Sequence, residues 1–156
     1  MKKALFTATV FGFLGSFERN DISLLQSKGF EVTVAAKMRP DIEKFGDYGQ
    51  LDDLKVKKVN IDFPRSPLSA DTFRAYAQLK KLIKSGDFDI IHCHTHVAGI
   101  LTRMAARKLR KKVKVVYTAH GYYFNKNTSK LRWFLFYPAE KLCSRFTDVL
   151  ININLE

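Results

Sequence analysis

Residues 88–121 read FDIIHCHTHVAGILTRMAARKLRKKVKVVYTAHG, and this stretch decides the fold class. Two short apolar runs, 88–94 and 113–119, read as strands, and the segment between them, 97–110, carries helical spacing. Successive strands joined by a helix are parallel strands of one sheet, because a parallel pair needs a long crossover. The stretch holds all four histidines, His92, His94, His96 and His120, and lies in a span, 90–139, without Asp or Glu. Reactive side chains at the ends of two successive strands are how an α/β fold builds a site.

The same alternation extends outward in both directions. Residues 3–10 read as a buried strand, 11–17 as a loop carrying Gly12 and Gly15, and 18–28 as a helix stopped by Gly29. A strand follows over 30–36, then a polar segment over 38–54 with weak helical character, and a short strand over 56–61. A proline turn at 64–67 leads to a helix over 69–85, with Ser69 or Asp71 as cap and Phe73, Tyr76, Leu79 and Ile83 on one face. Gly86 ends it. Beyond the quoted stretch, 131–145 is helical and 149–153 is a strand. The sum is a Rossmann-like, doubly wound parallel sheet with helices on both faces.

Composition sets the outer limits. A chain of 156 residues with 46% hydrophobic content is a folded domain over 1–156, and a net charge of +12 implies an acidic partner or surface. Cys93 and Cys143 lie in apolar contexts without zinc spacing and read as reduced, buried thiols. The start, MKKALFTATVFGFLGSF, resembles a secretory signal, but no small-x-small cleavage site follows and threonines interrupt it, as in a strand. No run approaches the ~20 apolar residues of a membrane-spanning helix, so the expected location is cytoplasmic, at most peripheral to a membrane. The chain stops in or just after a strand, which fits either a sheet packed on another body or the first domain of a longer protein.

Several constellations could carry chemistry. Gly12 and Gly15 follow the first strand and precede a helix, where backbone N–H groups can meet a phosphate, although a structural tight turn fits equally. His92, His94 and His96 alternate with Cys93 and Thr95, so on an extended strand they share one side. Such a row could bind a metal, but a hydrolytic site usually adds a carboxylate and the nearby sequence supplies none; no metal is expected. His94 and His96 fall where strand turns to helix, and His120, before Gly121, falls at the next strand's C-terminal edge. Arg103, Arg107, Lys108, Arg110, Lys111, Lys112 and Lys114 form a basic run read as a solvated face, with non-specific nucleic-acid binding as the competing use. Lys126, Lys130 and Arg132 beside Trp133, Phe134, Phe136 and Tyr137 suit an anionic membrane interface, or the aromatics simply cover the sheet.

The segments HCHTHVAGILTRMAARKLRKK, VVYTAHGYYF and YPAEKLCSRFTDVLININ, with ALFTATVFGFLGSFERNDISLLQSKGFEVTVAA and FPRSPLSADTFRAYAQLKKLI, resemble the amino-terminal domain of glycosyltransferase family 4. The branch with which they agree builds bacterial capsule and exopolysaccharide. The resemblance implies the N-terminal half of a two-domain GT-B fold. It also implies retaining transfer from a nucleotide-sugar, UDP-linked, to a lipid-linked saccharide at the inner membrane face, with no cofactor and no specific nucleic acid. The donor would bind mainly through a second domain. Residue by residue, Gly12 and Gly15 would approach the donor diphosphate. His120 would act catalytically beside the donor sugar, and His94, Thr95, His96 and Gly121 would line the acceptor pocket. Lys126, Lys130, Arg132 and Trp133 would face the membrane. The loop here is FGFLGS, without the paired glycines of some relatives, and His96 stands where many have proline.

Overall fold

The computed structural model describes residues 1–38, 48–64, 69–109, 112–121 and 129–153. Six parallel strands, β1 (Lys2–Val10), β2 (Phe30–Lys37), β3 (Lys57–Asn60), β4 (Ile90–His94), β5 (Lys114–Ala119) and β6 (Val149–Asn152), form one sheet in the order β3-β2-β1-β4-β5-β6. Five helices accompany them among the described residues: α1 (Phe11–Phe17), α2 (Arg19–Ser27), α3 (Asp71–Gly86), α4 (His96–Ala106) and α5 (Lys130–Ser144). The strand order reverses between β1 and β4, which opens a crevice at the C-terminal edge of those two strands. The expected Rossmann-like α/β sheet is thus present, with each strand within two residues or so of its expected place.

Burial on both faces explains why β1 reads as a continuous apolar run. Leu5 packs with Leu79, Ile83, Ile91 and Val115 beneath α3 and α4, while Ala4 and Phe6 pack with Leu14, Ile22, Val32 and Val34 beneath α1 and α2. Inside the sheet–helix layer, the Thr7 hydroxyl meets that of Thr102 at 2.9 Å and ties β1 to α4. Gly29 ends α2 with φ +82, the left-handed conformation expected of it. Gly99 lets α4 approach β5: a Cβ there would lie 2.7 Å from the Tyr117 ring.

Four local expectations are corrected. The glycine loop over 11–17 is helix α1, running directly out of β1, with Gly12 and Gly15 buried. Phe11 and Leu14 bury their side chains there, which outweighs the ~1 kcal/mol per glycine that disfavours a helix. In α3 the buried stripe is Ala75, Leu79 and Ile83, whereas Phe73, in the first turn, is 81% exposed. The helix begins after Ala70, which makes no side-chain cap, and Ser69 Oγ accepts the Asp71 N–H at 3.2 Å. Arg103, read as part of a solvated basic face, is buried. The turn at 64–67 and the residues Arg110 and Lys111 lie wholly or partly outside the described residues. β6 closes one edge of the sheet, with Val149, Leu150 and Ile151 exposed.

Candidate active site

The C-terminal ends of β1, β4 and β5 converge on the crevice, and Thr95 shapes it. Thr95 joins β4 to α4 with φ 59 and ψ 153, a region that β-branched residues essentially never occupy without support. The support comes from Thr9 at the end of β1: its hydroxyl lies 2.7 Å from Thr95 Oγ1, and its N–H donates to the same oxygen at 3.2 Å. This kink ends the strand alternation. His92 and His94 share one face, but His96 becomes the first residue of α4 and turns toward α5, so the expected row of three histidines on one side does not form.

On the first face, the residue that sequence reasoning missed is Glu18, between α1 and α2. Its carboxylate is buried; Oε1 lies 3.2 Å from His94 Nδ1 and 3.7 Å from His120 Nε2. The His94 contact is short enough for a hydrogen bond but not aligned for one; among the described residues, both His94 ring nitrogens and Glu18 Oε2 lack a hydrogen-bond partner. His92 Nε2 pairs with Thr118 Oγ1 at 2.8 Å. Phe6 stacks parallel to the His94 ring, and Phe13 and Phe17 of α1 meet His120 edge-on. His120 keeps 23% of its side chain exposed, so it forms the accessible surface of an otherwise buried cluster. Sequence position offered one signal for Glu18: it is the first acidic residue of the chain, lying between the first strand and the second.

The electrostatics follow from burial, with no Lys or Arg ion-paired to the cluster among the described residues. Burial, reinforced by the charge and hydrogen bond of Asp21, pushes the Glu18 carboxyl up to about 7. Burial pushes His92 down to about 4 and His94, with His92 and His120 nearby, down to about 2. His120 is lowered by burial as well. The cluster therefore offers neutral imidazoles and a carboxyl poised to gain or lose a proton near neutrality.

A second buried carboxylate lies behind α4. Glu140 of α5 receives Arg103 Nη2 at 2.7 Å, while Arg103 Nε donates to the Gly99 carbonyl at 3.0 Å and the guanidinium stacks 3.9 Å over the Tyr117 ring. His96 Nδ1 faces Glu140 Oε1 at 3.8 Å and the Tyr117 hydroxyl lies 3.5 Å from that oxygen. Burial would raise the Glu140 carboxyl, but the facing His96 and the Arg103 charge outweigh it and hold it below the usual range. Cys93 and Cys143 are free and buried, as expected, and burial pushes them up to about 12 and about 11.

The structure thus brings His94 and His120 together with Thr95 close by, and sets His96 apart against Glu140. Gly121 follows His120 with φ 135, open to glycine and strained for other residues. Of the residues expected to face a membrane, Lys130 is exposed and Trp133 is 41% exposed, its ring tilted 30° against that of Tyr137 at 4.4 Å, with Leu131 and Phe134 each 79% exposed beside them. Phe136 alone of the aromatics singled out here is buried, against His96. Lys126 lies outside the described residues, as does the Arg132 side chain. No helix among the described residues is long and apolar enough to cross a membrane.

Comparison with known proteins gives the family and agrees with the fold. The chain is 40% identical over 156 residues to EpsD of Bacillus subtilis (strain 168), described as a glycosyltransferase, covering 99% of this chain and 38% of that protein. It is 34% identical over 83 residues to the UDP-Gal:alpha-D-GlcNAc-diphosphoundecaprenol alpha-1,3-galactosyltransferase of Escherichia coli, covering 53% of this chain and 21% of that one. Among solved structures, MurG of Acinetobacter baumannii shares the fold with a TM-score of 0.66 at 18% identity, over 97% of this chain and 41% of that chain. The chain spans about two fifths of the length of EpsD and of MurG. The profile of Glycosyltransferase Family 4 matches residues 22–153, and the chain belongs to that family.

Proposed function

We propose that this chain is the acceptor-side, N-terminal domain of a retaining glycosyltransferase that moves a sugar from a UDP-linked donor to a lipid-linked saccharide in capsule or exopolysaccharide synthesis. The observation that carries the reading is the grouping of His94 and His120 around Glu18 at the β1–β4 switch point, in a chain of this family. The relative whose name states UDP-Gal as donor and a diphosphoundecaprenol-linked sugar as acceptor supports the substrate classes.

In this reading His120, at the accessible surface, contacts the donor sugar and steadies charge as the bond to the diphosphate breaks. Gly12 and Gly15 of α1 approach the donor diphosphate beside the β1 edge. His94, Thr95 and Gly121 border the acceptor, with His96 set apart against Glu140. A second domain supplies most of the donor contacts, so the 156-residue chain alone turns over no nucleotide-sugar. The transfer uses no organic cofactor and no catalytic metal. The exposed aromatics of α5 with Lys130, together with Lys126 and Arg132, rest on the anionic inner face of the cytoplasmic membrane; no specific nucleic acid is a partner.

The test is a transfer assay on the full-length protein containing this chain, with UDP-sugars and a short-chain prenyl-diphosphate saccharide. His120→Ala is expected to lower kcat by ~10²-fold or more. Full transfer by that variant, or turnover by the 156-residue chain alone, would contradict the reading.

A further inference from the structure

We infer that Glu18, His92 and His94 form a binding site for one divalent transition-metal ion of the zinc class. Each residue offers a ligand atom, and these atoms lie within 4.8 Å of one another. All three residues are at least nine-tenths buried. The Glu18 Oε1–His94 Nδ1 separation of 3.2 Å is already near the ligand–ligand edge of about 3.3 Å that ~2.0 Å metal bonds imply in a tetrahedral site.

Two further observations point to a ligand. Among the described residues, the fully buried His94 Nδ1 and Glu18 Oε2 have no hydrogen-bond partner, a costly arrangement that one ion held between the two side chains would relieve. His92 commits Nε2 to Thr118 Oγ1 at 2.8 Å, which fixes the ring and leaves Nδ1 as the ligand atom. Such a second hydrogen bond typically orients metal-bound histidine.

Two imidazoles and one carboxylate suit zinc and its neighbours rather than calcium or magnesium, which prefer oxygen ligands. The carboxylate missing from residues 90–139 comes from the α1–α2 junction, so the ion would join β4 to that junction beneath His120. Its role is to neutralise Glu18 and hold the floor of the crevice; the transfer reading does not depend on it.

Calorimetric titration of the chelator-washed 156-residue chain with Zn²⁺ tests the site. One equivalent should bind, and Co²⁺ should give visible absorption free of thiolate charge transfer, because Cys93 packs with Tyr117 and Ala119 away from the histidines. Glu18→Gln and His94→Ala should each weaken binding by ~10-fold or more. If His94→Ala fails to fold, the near-isosteric Glu18→Gln carries the comparison. Absence of stoichiometric binding by the unaltered chain overturns the inference, as does affinity unchanged in Glu18→Gln. Transfer by the full-length protein after zinc removal is scored separately, so either reading can fail without the other.

Discussion

Two buried carboxylates, one on each side of α4's N-terminus, meet opposite fates. Glu140 lies against Arg103, and its oxygens face a guanidinium, an imidazole and a phenol. Glu18 lies among His92, His94 and His120, with no Lys or Arg ion-paired to it among the described residues, and one oxygen is unpartnered. Their acidities diverge accordingly, Glu140 held low and Glu18 pushed up to about 7. A satisfied network rigidifies a fold, whereas a cluster left short of partners beside an accessible histidine suits ligand chemistry. The Glu140 pocket positions α5 and His96; the Glu18 pocket lies at the floor of the crevice.

The sharpest way to break this contrast is Arg103→Met. Leaving Glu140 buried without its cation should cost about 3–5 kcal/mol in urea unfolding, because an uncompensated buried charge remains. A loss below ~1 kcal/mol would mean that the pair is not the anchor described. Next in size, Gly99→Ala should cost about 1–3 kcal/mol, since its Cβ would lie 2.7 Å from the Tyr117 ring against which Arg103 stacks.

Thr95→Gly tests the kink between the two pockets. Glycine relieves about 1–3 kcal/mol of backbone strain and removes the Thr9 contacts, worth about 0.5–1.5 kcal/mol each. Stability should change by no more than about 2 kcal/mol in either direction while transfer by the full-length protein falls. Equal losses of both would reduce Thr95 to a structural role.

The smallest effect is in the pH profile of the chelator-treated chain. Folding raises Glu18 from 4.5 to about 7, so its contribution is fully present below 4.5 and is lost as pH rises through 7. His92 and His94 are lowered from 6.5 to about 4 and about 2, so their contributions are present above 6.5 and are lost as pH falls toward those values. Between 4.5 and 6.5 the two histidines outweigh the one carboxyl, and stability should climb with pH, then decline slightly up to 7. Urea midpoints of Glu18→Gln should lack that final decline.

The sheet was legible because buried parallel strands write themselves as apolar runs such as 88–94 and 113–119, punctuated by Gly29 and Gly86. The helix α1 was not, because glycine spacing at Gly12 and Gly15 is ambiguous until Phe11 and Leu14 have a core to enter. His94 and His120 were placed by the rule that α/β sites gather at strand C-termini. Their carboxylate was not, because contact across the sheet is invisible to local spacing: the acid-free span 90–139 ends one residue before Glu140 and is met in space by Glu18. Arg103 hid in a basic run, although its place in the apolar helix α4, one turn beyond Gly99, was a readable sign of burial.

The central claim, that the Glu18–His94–His120 pocket rather than the Arg103–Glu140 pocket receives ligand, is tested most directly by histidine and arginine side-chain NMR of the chain. The titrant is a soluble prenyl-diphosphate saccharide analogue. The account predicts saturating shifts of the His94 and His120 ring signals, with the Arg103 guanidinium signal unmoved. Shifts confined to Arg103 and other residues around Glu140, or none at saturating analogue, would contradict it.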